Sequence, residues 1–265
     1  MKDLRVSIVQ ANLHWEQPEQ NRLLFDHLLT QITPGSTDLI VLPEMFNTGF
    51  SMEPQRLAEP MNGMTMQWMR ALAAAKQAVI TGSLMITENG LHYNRLIWMR
   101  PDGSFESYDK RHLFRYANEQ DHYTAGNSKL VVELHGWKIC PLVCYDLRFP
   151  AWIRNRYQAD GEATYDLLLF VANWPARRSH PWKTLLMARA MENQCYTVGV
   201  NRIGEDGKGI AHSGDSVVLD PKGEALSALQ ANETGVETVH LSYDELINWR
   251  KTFPAWMDAD DFNLK

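Results

Sequence analysis

The sequence predicts one α/β domain with a mixed sheet system. Three observations carry that expectation. Apolar, β-branched runs recur along the whole chain, helix-period segments alternate with several of them, and no Ser/Gly-rich linker, charge block or repeat divides the 265 residues. A single domain over 1–265 follows, with about 243–265 read as a tail available to a dimer partner.

The strands come first in the argument. Leu4–Gln10, Leu39–Pro43, Val79–Met85, Leu96–Arg100, Val131–Leu134, Trp137–Cys144, Leu167–Ala172, Tyr196–Asn201, Ser216–Leu219 and Gly235–Leu241 all read as β. Several are almost wholly apolar, as strands covered on both faces are. Asn89-Gly90 and Pro101-Asp-Gly103 are turn signals inside β-rich sequence, so 79–109 should form a meander. Helices are expected at Pro18–Gln31, with Leu23, Leu24, His27, Leu28 and Gln31 near one face, and at Thr65–Lys76, Trp182–Asn193 and Tyr243–Arg250.

Composition narrows the function. Apolar residues make up 45% of the chain, enough for a sizeable core, and the net charge of −6 argues against a nucleic-acid footprint. The N-terminus lacks the apolar stretch and cleavage site of a signal peptide. The longest apolar runs are far too short to span a membrane. Three cysteines are too few for a disulfide scaffold. Cys140 and Cys144 on one strand would stand about 13 Å apart, beyond the roughly 7 Å limit for a disulfide. A reduced, cytoplasmic protein is the expectation.

Three segments carry candidate chemistry. Cys144 ends an apolar run and precedes a change of direction, where a thiol is presented at a sheet rim beside free backbone N–H groups. Such a thiol is a nucleophile if a base and a positive charge lie nearby, and otherwise a small hydrophobe. Glu44 follows Leu-Ile-Val-Leu-Pro at the C-terminal edge of a strand, where α/β proteins bind ligands. Met45 and Phe46 come next, so the carboxylate is expected to be partly desolvated, which suits general-base work. Lys110 lies in Tyr-Asp-Lys-Arg-His-Leu-Phe, after the meander, and could stabilise an oxyanion or belong to a solvated basic loop. A free thiol, with a pKa of about 8.5, is only slightly ionised at neutral pH, so it needs a base. A histidine, His112, His180 or His212 among them, is the alternative to Glu44.

The ordered trio Leu-Pro-Glu44, Asp-Lys110-Arg-His-Leu and Val-Cys144-Tyr-Asp-Leu-Arg-Phe-Pro resembles the Glu-Lys-Cys triad of the nitrilase superfamily of carbon–nitrogen hydrolases. Ala188–Tyr196 with Asn201-Arg202, His212-Ser-Gly and Asp220-Pro-Lys-Gly223 resemble later family segments, so the likeness runs through the whole chain. Glu119, seven residues before Gly126, matches the family's second glutamate, which orients the lysine and the substrate. The resemblance implies a four-layer αββα sandwich, a homodimer, and amide hydrolysis without metal or organic cofactor. It also implies that the backbone N–H of Tyr145 joins Lys110 at the oxyanion.

Among branches the chain most resembles the ω-amidases, which release ammonia from monoamides of dicarboxylates such as 2-oxoglutaramate and 2-oxosuccinamate. The small-molecule substrate then carries a far carboxylate, and a guanidinium suits it. Arg178, in Asn173-Trp-Pro-Ala-Arg177-Arg178, is the favoured partner, with Arg177 its neighbour, and Phe46 and Trp174 are candidate pocket walls. Rival readings are a sibling amidohydrolase acting on N-carbamoyl compounds, deaminated glutathione or aliphatic amides, a nitrilase proper, a thiol acyltransferase, and a catalytically inactive binding protein.

Overall fold

Residue alternation along the strands is resolved into two stacked sheets in the computed structural model, which describes residues 2–158 and 161–263. In chain order the elements are β1 (Leu4–Gln10), α1 (Pro18–Leu28), β2 (Leu39–Val41), α2 (Pro54–Leu57), α3 (Met64–Lys76), β3 (Val79–Glu88), β4 (Leu91–Met99), β5 (Phe105–Asp109), β6 (Val132–Leu134) and β7 (Trp137–Val143). There follow α4 (Pro150–Ile153), β8 (Leu167–Ala172), α5 (Ser179–Asn193), β9 (Tyr196–Asn201), β10 (Ile203–Glu205), β11 (Ala211–Ser213), β12 (Val217–Leu219), β13 (Gly235–Leu241) and α6 (Tyr243–Thr252). One sheet has the order β13-β1-β2-β3-β4-β5, the other β12-β9-β8-β7-β6, and β10 and β11 form a separate hairpin. Parallel pairs at the centre of each sheet are flanked by antiparallel edges.

Period-two burial explains the layering. Leu4, Val6, Leu39, Val41, Leu96 and Trp98 join the core shared with the second sheet. Their neighbours Val9, Ile40, Ile80, Ile97 and Met99 pack instead with Phe25, Met66 and Met69 of α1 and α3. On the far side α5 lies so close to β9 that a Cβ at Gly199 would sit 2.5 Å from Leu186 and 2.8 Å from Trp182. Helices, sheet, sheet and helices thus stack in the expected αββα order. No helix among the described residues is long and apolar enough to cross a membrane.

Local expectations are corrected in three places. On α1 the buried residues are Asn21, Phe25 and Leu28, whereas Leu23 is 55% exposed, because Asn21 turns inward to hold His14 and the Asn47 carbonyl. The second strand of the meander begins at Leu91, not Leu96, because Asn89 and Gly90 both take positive φ and close a two-residue hairpin. The helix expected at Tyr243–Arg250 forms, but it is docked on its own chain and is not part of a tail: Leu246 is buried, and Arg250 reaches Asp166 Oδ1 at 2.6 Å, the Tyr165 carbonyl at 3.0 Å and the Gln194 carbonyl at 2.9 Å. Only the exposed residues beyond it fit a tail, and 264–265 lie outside the described residues.

Candidate active site

Cys144 is the first residue beyond β7 and opens a tight 3-10 turn, Cys144–Arg148. Its φ of +46° lies in the left-handed region that non-glycine residues rarely adopt. Asp146 holds the strained elbow: Oδ2 accepts from the Val143 N–H at 3.1 Å and the Tyr108 hydroxyl at 2.8 Å. Oδ1 accepts from the His112 N–H at 3.0 Å and pairs with His112 Nδ1 at 2.7 Å. The elbow leaves Cys144 9% exposed, on the floor of a cavity. The first N–H groups of its turn, Tyr145 among them, lack partners within the turn by geometry.

The other sheet supplies Glu44 and Lys110. Glu44 stands just past β2, where Met45 turns with φ +41° and its N–H bonds Ser83 Oγ at 2.9 Å. Lys110 follows β5 directly, held by its N–H to the Asn94 carbonyl at 3.0 Å and its carbonyl from the Gly126 N–H at 3.0 Å. Gly126 must be glycine here, since a Cβ would lie 2.2 Å from the Asp109 carbonyl oxygen. Glu119 sits in a 3-10 turn, and its carboxylate accepts from the Phe114 N–H at 2.5 Å.

These groups converge. Lys110 Nζ lies 2.9 Å from Glu44 Oε1 and 3.1 and 3.0 Å from the two oxygens of Glu119, with all three side chains sealed from solvent. Asn94 Nδ2 donates to Glu44 Oε1 at 2.8 Å and Glu119 Oε1 at 3.2 Å. The Asn173 N–H, just past β8, donates to Glu44 Oε2 at 2.8 Å and faces the Cys144 sulfur.

Electrostatics follow from that arrangement. Burial pushes the Cys144 thiol well up, the Glu44 charge adds to it, and Lys110 opposes, so the thiol rests protonated. Burial alone would lower the Lys110 ammonium, but Glu119 and Glu44 outweigh it and raise it. Glu119 is raised by burial against the pull of Lys110. A neutral thiol beside a carboxylate and a fixed ammonium is an arrangement that can support nucleophilic attack by sulfur with proton transfer to the carboxylate.

The cavity above Cys144 has a volume of about 240 Å³. Trp174 lines it, with its indole N–H bonded to the Arg178 carbonyl at 2.8 Å. Arg178 lines it too, its guanidinium over the rings of Phe114 and Tyr116 at 5.5 and 4.9 Å. Arg148 and Arg177 join it there, over Trp174 and Tyr116 respectively. Phe46 does not line the cavity. It is fully buried between Phe25 and Trp68, pressed over the sheet where a Cβ at Gly82 would lie 2.8 Å from its ring, and Phe50 supplies the wall instead. Met45 turns the chain, so the residue after it points into the helix-facing core.

The histidines are placed elsewhere or held in other roles. His112 is stacked on Phe149 at 3.7 Å and bound to Asp146, and His180 is exposed on the first turn of α5. His212 lines the cavity, but burial, with Arg202 adding, drops its pKa to about 4, so it is neutral. Asn94, Asn173 and Asp146 are the residues that sequence reasoning passed over. Asn173 had a signal, a polar residue ending the apolar run Leu167–Ala172 as Glu44 ends its own. Asn94, inside a strand, had none. Among the described residues no group of three or more His, Cys, Asp and Glu is arranged to hold a metal ion.

A helix-covered double sheet with a thiol, an ammonium and two carboxylates under one small pocket is the frame of a hydrolase rather than of a binding module. The carbon–nitrogen hydrolase model matches residues 5–251, and the chain belongs to that family, the nitrilase superfamily. It is 45% identical over 264 residues, the full length of both chains, to the omega-amidase YafV of Escherichia coli K12. It is 29% identical to the 2-oxoglutaramate amidase of Bacillus subtilis, over 96% of each chain. A crystal structure of a CN-hydrolase superfamily protein from Xanthomonas campestris, with an arsenic adduct in its active site, superposes with a TM-score of 0.97 at 46% identity over the whole of both chains. The protein is therefore a hydrolase of carbon–nitrogen bonds other than peptide bonds, most similar to ω-amidases.

Proposed function

We propose that the protein releases ammonia from ω-monoamides of dicarboxylates, 2-oxoglutaramate and 2-oxosuccinamate among them, through a thioester on Cys144. The observation that carries this reading is the pairing of the Glu44–Lys110–Cys144 floor with an arginine-lined cavity. Arg148, Arg177 and Arg178 line it, and none forms an ion pair with a carboxylate among the described residues. Lys208 adds a fourth cation and Asp206 the opposing charge. A substrate with a free carboxylate supplies what those guanidinium groups lack. Names borne by relatives, omega-amidase and 2-oxoglutaramate amidase, support the same substrate class.

The geometry supports the following steps. The Cys144 sulfur attacks the amide carbon while its proton passes to Glu44. Negative charge forming on the amide oxygen is met by the Lys110 ammonium and the Tyr145 N–H, each such donor contributing about 3–4 kcal/mol in comparable sites. The C–N bond then breaks, with Glu44 returning the proton to the departing ammonia and leaving an acyl thioester. Water, deprotonated by Glu44, attacks the thioester, and the sulfur leaves as the free acid forms and recovers its proton. Glu119 holds Lys110 in place throughout. Trp174 and Phe50 flank the acyl chain, and Arg178 takes its far carboxylate.

Ammonia release from 2-oxoglutaramate, glutamine and a neutral aliphatic amide, measured side by side, tests the assignment. The oxo-acid monoamide should show the highest kcat/KM. A preference for the neutral amide would return the aliphatic-amidase alternative. A cytoplasmic homodimer belongs to the same reading. Its support is three free cysteines and an apolar surface left exposed by Met187 and Met191 of α5 with Leu226. Sedimentation equilibrium tests the dimer.

A further inference from the structure

Two buried carboxylates share a single ammonium at the floor of the site, which leaves one negative charge without a cation. A neutral donor set between Glu44 and Glu119 would offset part of that charge. Asn94 is the group placed to do so. Its Nδ2 lies 2.8 Å from Glu44 Oε1 and 3.2 Å from Glu119 Oε1, so the two amide hydrogens are divided between the two acids. The opposite amide orientation would aim Oδ1 at both carboxylates, so the donor must face them. The Oδ1 atom is buried and has no protein partner, a cost that an apolar residue at this position would avoid. The backbone is committed too, since the Asn94 carbonyl accepts the Lys110 N–H at 3.0 Å.

We propose that Asn94 is a positioning residue of the reaction: it bridges Glu44 and Glu119, occupies Glu44 Oε1 together with Lys110, and thereby assigns proton exchange with Cys144 to Glu44 Oε2. That oxygen accepts the Asn173 N–H, which also faces the Cys144 sulfur, so it is the one on the thiol side. The inference rests on the reading of Glu44 as the base. The charged and titratable groups facing Glu44 are Lys110 at the end of β5, Glu119 and Tyr123 in and after the 3-10 turn, and Cys144 at the elbow. Tyr123 is turned away, its hydroxyl donating to the Ser51 carbonyl at 2.7 Å. Asn94 is therefore the neutral donor common to both acids.

The test is the pH profile of kcat/KM, together with the pH dependence of Cys144 alkylation by iodoacetamide, which needs no assumption about substrate. Asn94→Leu removes both donors at similar size. It should lower kcat at least tenfold at neutral pH, leave KM within about threefold, and move the acid limb of both profiles up by about one pH unit, because a carboxylate that loses donors holds its proton more tightly. Asn94→Asp fits the same space and decides the matter should Asn94→Leu not fold. Its third carboxyl should move the limb at least as far. Acid limbs matching the wild type in the folded variants would overturn the proposal, whatever happens to kcat. Glu44→Gln is the control. If it abolishes the limb while the Asn94 variants leave theirs unmoved, the bridge is wrong and the base assignment stands. If Glu44→Gln keeps a wild-type limb, both fall.

Discussion

The Tyr108 hydroxyl donates to Asp146 Oδ2 at 2.8 Å, and this one bond ties the strand that delivers Lys110 to the elbow that presents Cys144. Tyr108 belongs to β5 of the first sheet and Asp146 to the turn after β7 of the second. Both side chains are buried, and the charge of Asp146, added to burial, holds the Tyr108 phenol protonated as a donor. Removing the hydroxyl leaves a buried carboxylate short of one partner. Tyr108→Phe should therefore destabilise the protein by about 1–3 kcal/mol in urea unfolding. With the elbow less constrained, kcat should fall several-fold while KM stays nearly constant.

Cys144→Ala should abolish turnover and leave the circular dichroism spectrum unchanged, because it removes a single atom at the cavity floor and Asp146 still holds the elbow. Iodoacetamide should label the wild type and Cys140→Ala but not Cys144→Ala. Cys140 and Cys195 are fully buried, burial pushes both thiols up to about 12, and unlike Cys144 neither lines the cavity or has Glu44 and Lys110 beside it, so neither should react. Equal labelling of the two variants would remove Cys144 from the nucleophile role.

Glu44→Gln should block both half-reactions, since in the proposed mechanism the same carboxylate accepts the thiol proton and activates the water. Turnover should drop by at least a thousandfold, on the order of other lost catalytic bases. Near-normal turnover would bring a histidine base back into consideration, with His212, the histidine on the cavity wall, the first to test.

Arg178→Ala should raise KM for oxo-acid monoamides by roughly 10–100-fold, as expected on losing a charge-assisted pair. A neutral short amide should be affected less than about threefold. Equal effects on the two substrates would strike Arg178 from the carboxylate role, and Arg177→Ala, assayed in the same way, would then identify the partner.

His212 sets an acid sensitivity of the fold. Its pKa in the folded protein is lowered to about 4, against 6.5 for an unhindered histidine. Between those values the unfolded chain binds a proton that the folded one does not, so stability falls as pH drops through that window. Taken alone, the group should make the protein about 2–3 kcal/mol less stable at pH 4.5 than at pH 7.5. His212→Gln should lose correspondingly less over the same interval, read by urea unfolding at the two pH values. An identical pH dependence in both proteins would show that His212 is not the group responsible.

Much of the fold could be read from residue order. Strand-length apolar runs and the turns at Asn89-Gly90 and Pro101–Gly103 are local signals, fixed by backbone preference and by burial on alternate faces. The α1 face differs because Asn21 counts as polar in any periodic reading, yet it is buried by two hydrogen bonds with His14 and a third to the Asn47 carbonyl, which exists only once the chain brings Asn47 near. Phe46 was misassigned for a related reason. Lying two residues from Glu44 says nothing about direction, and the positive φ at Met45 sends its ring to the opposite side of the sheet.

The sequence by itself determined one α/β domain with a mixed sheet system, its family resemblance implied the αββα layering, and Glu44, Lys110 and Cys144 could be placed at or just after strands. Glu44 and Cys144 are marked by where an apolar run stops, and Lys110 by the turn signals of the meander before it. Only the tertiary structure decided what stands opposite them: Asn94 between the two carboxylates, Asn173 beside the thiol, Asp146 beneath the elbow, and Phe50 in place of Phe46. The physical reason is that periodicity specifies which face of an element is buried, whereas a site is made where faces of two sheets meet. Cys144 and Asn173 come from one sheet, and Glu44, Lys110 and Asn94 from the other. The 2.8 Å contact of the Asn173 N–H with Glu44 is a property of how the sheets pack, and those of Asn94 and Lys110 with Glu44 of how strands align within one sheet, none of spacing along the chain.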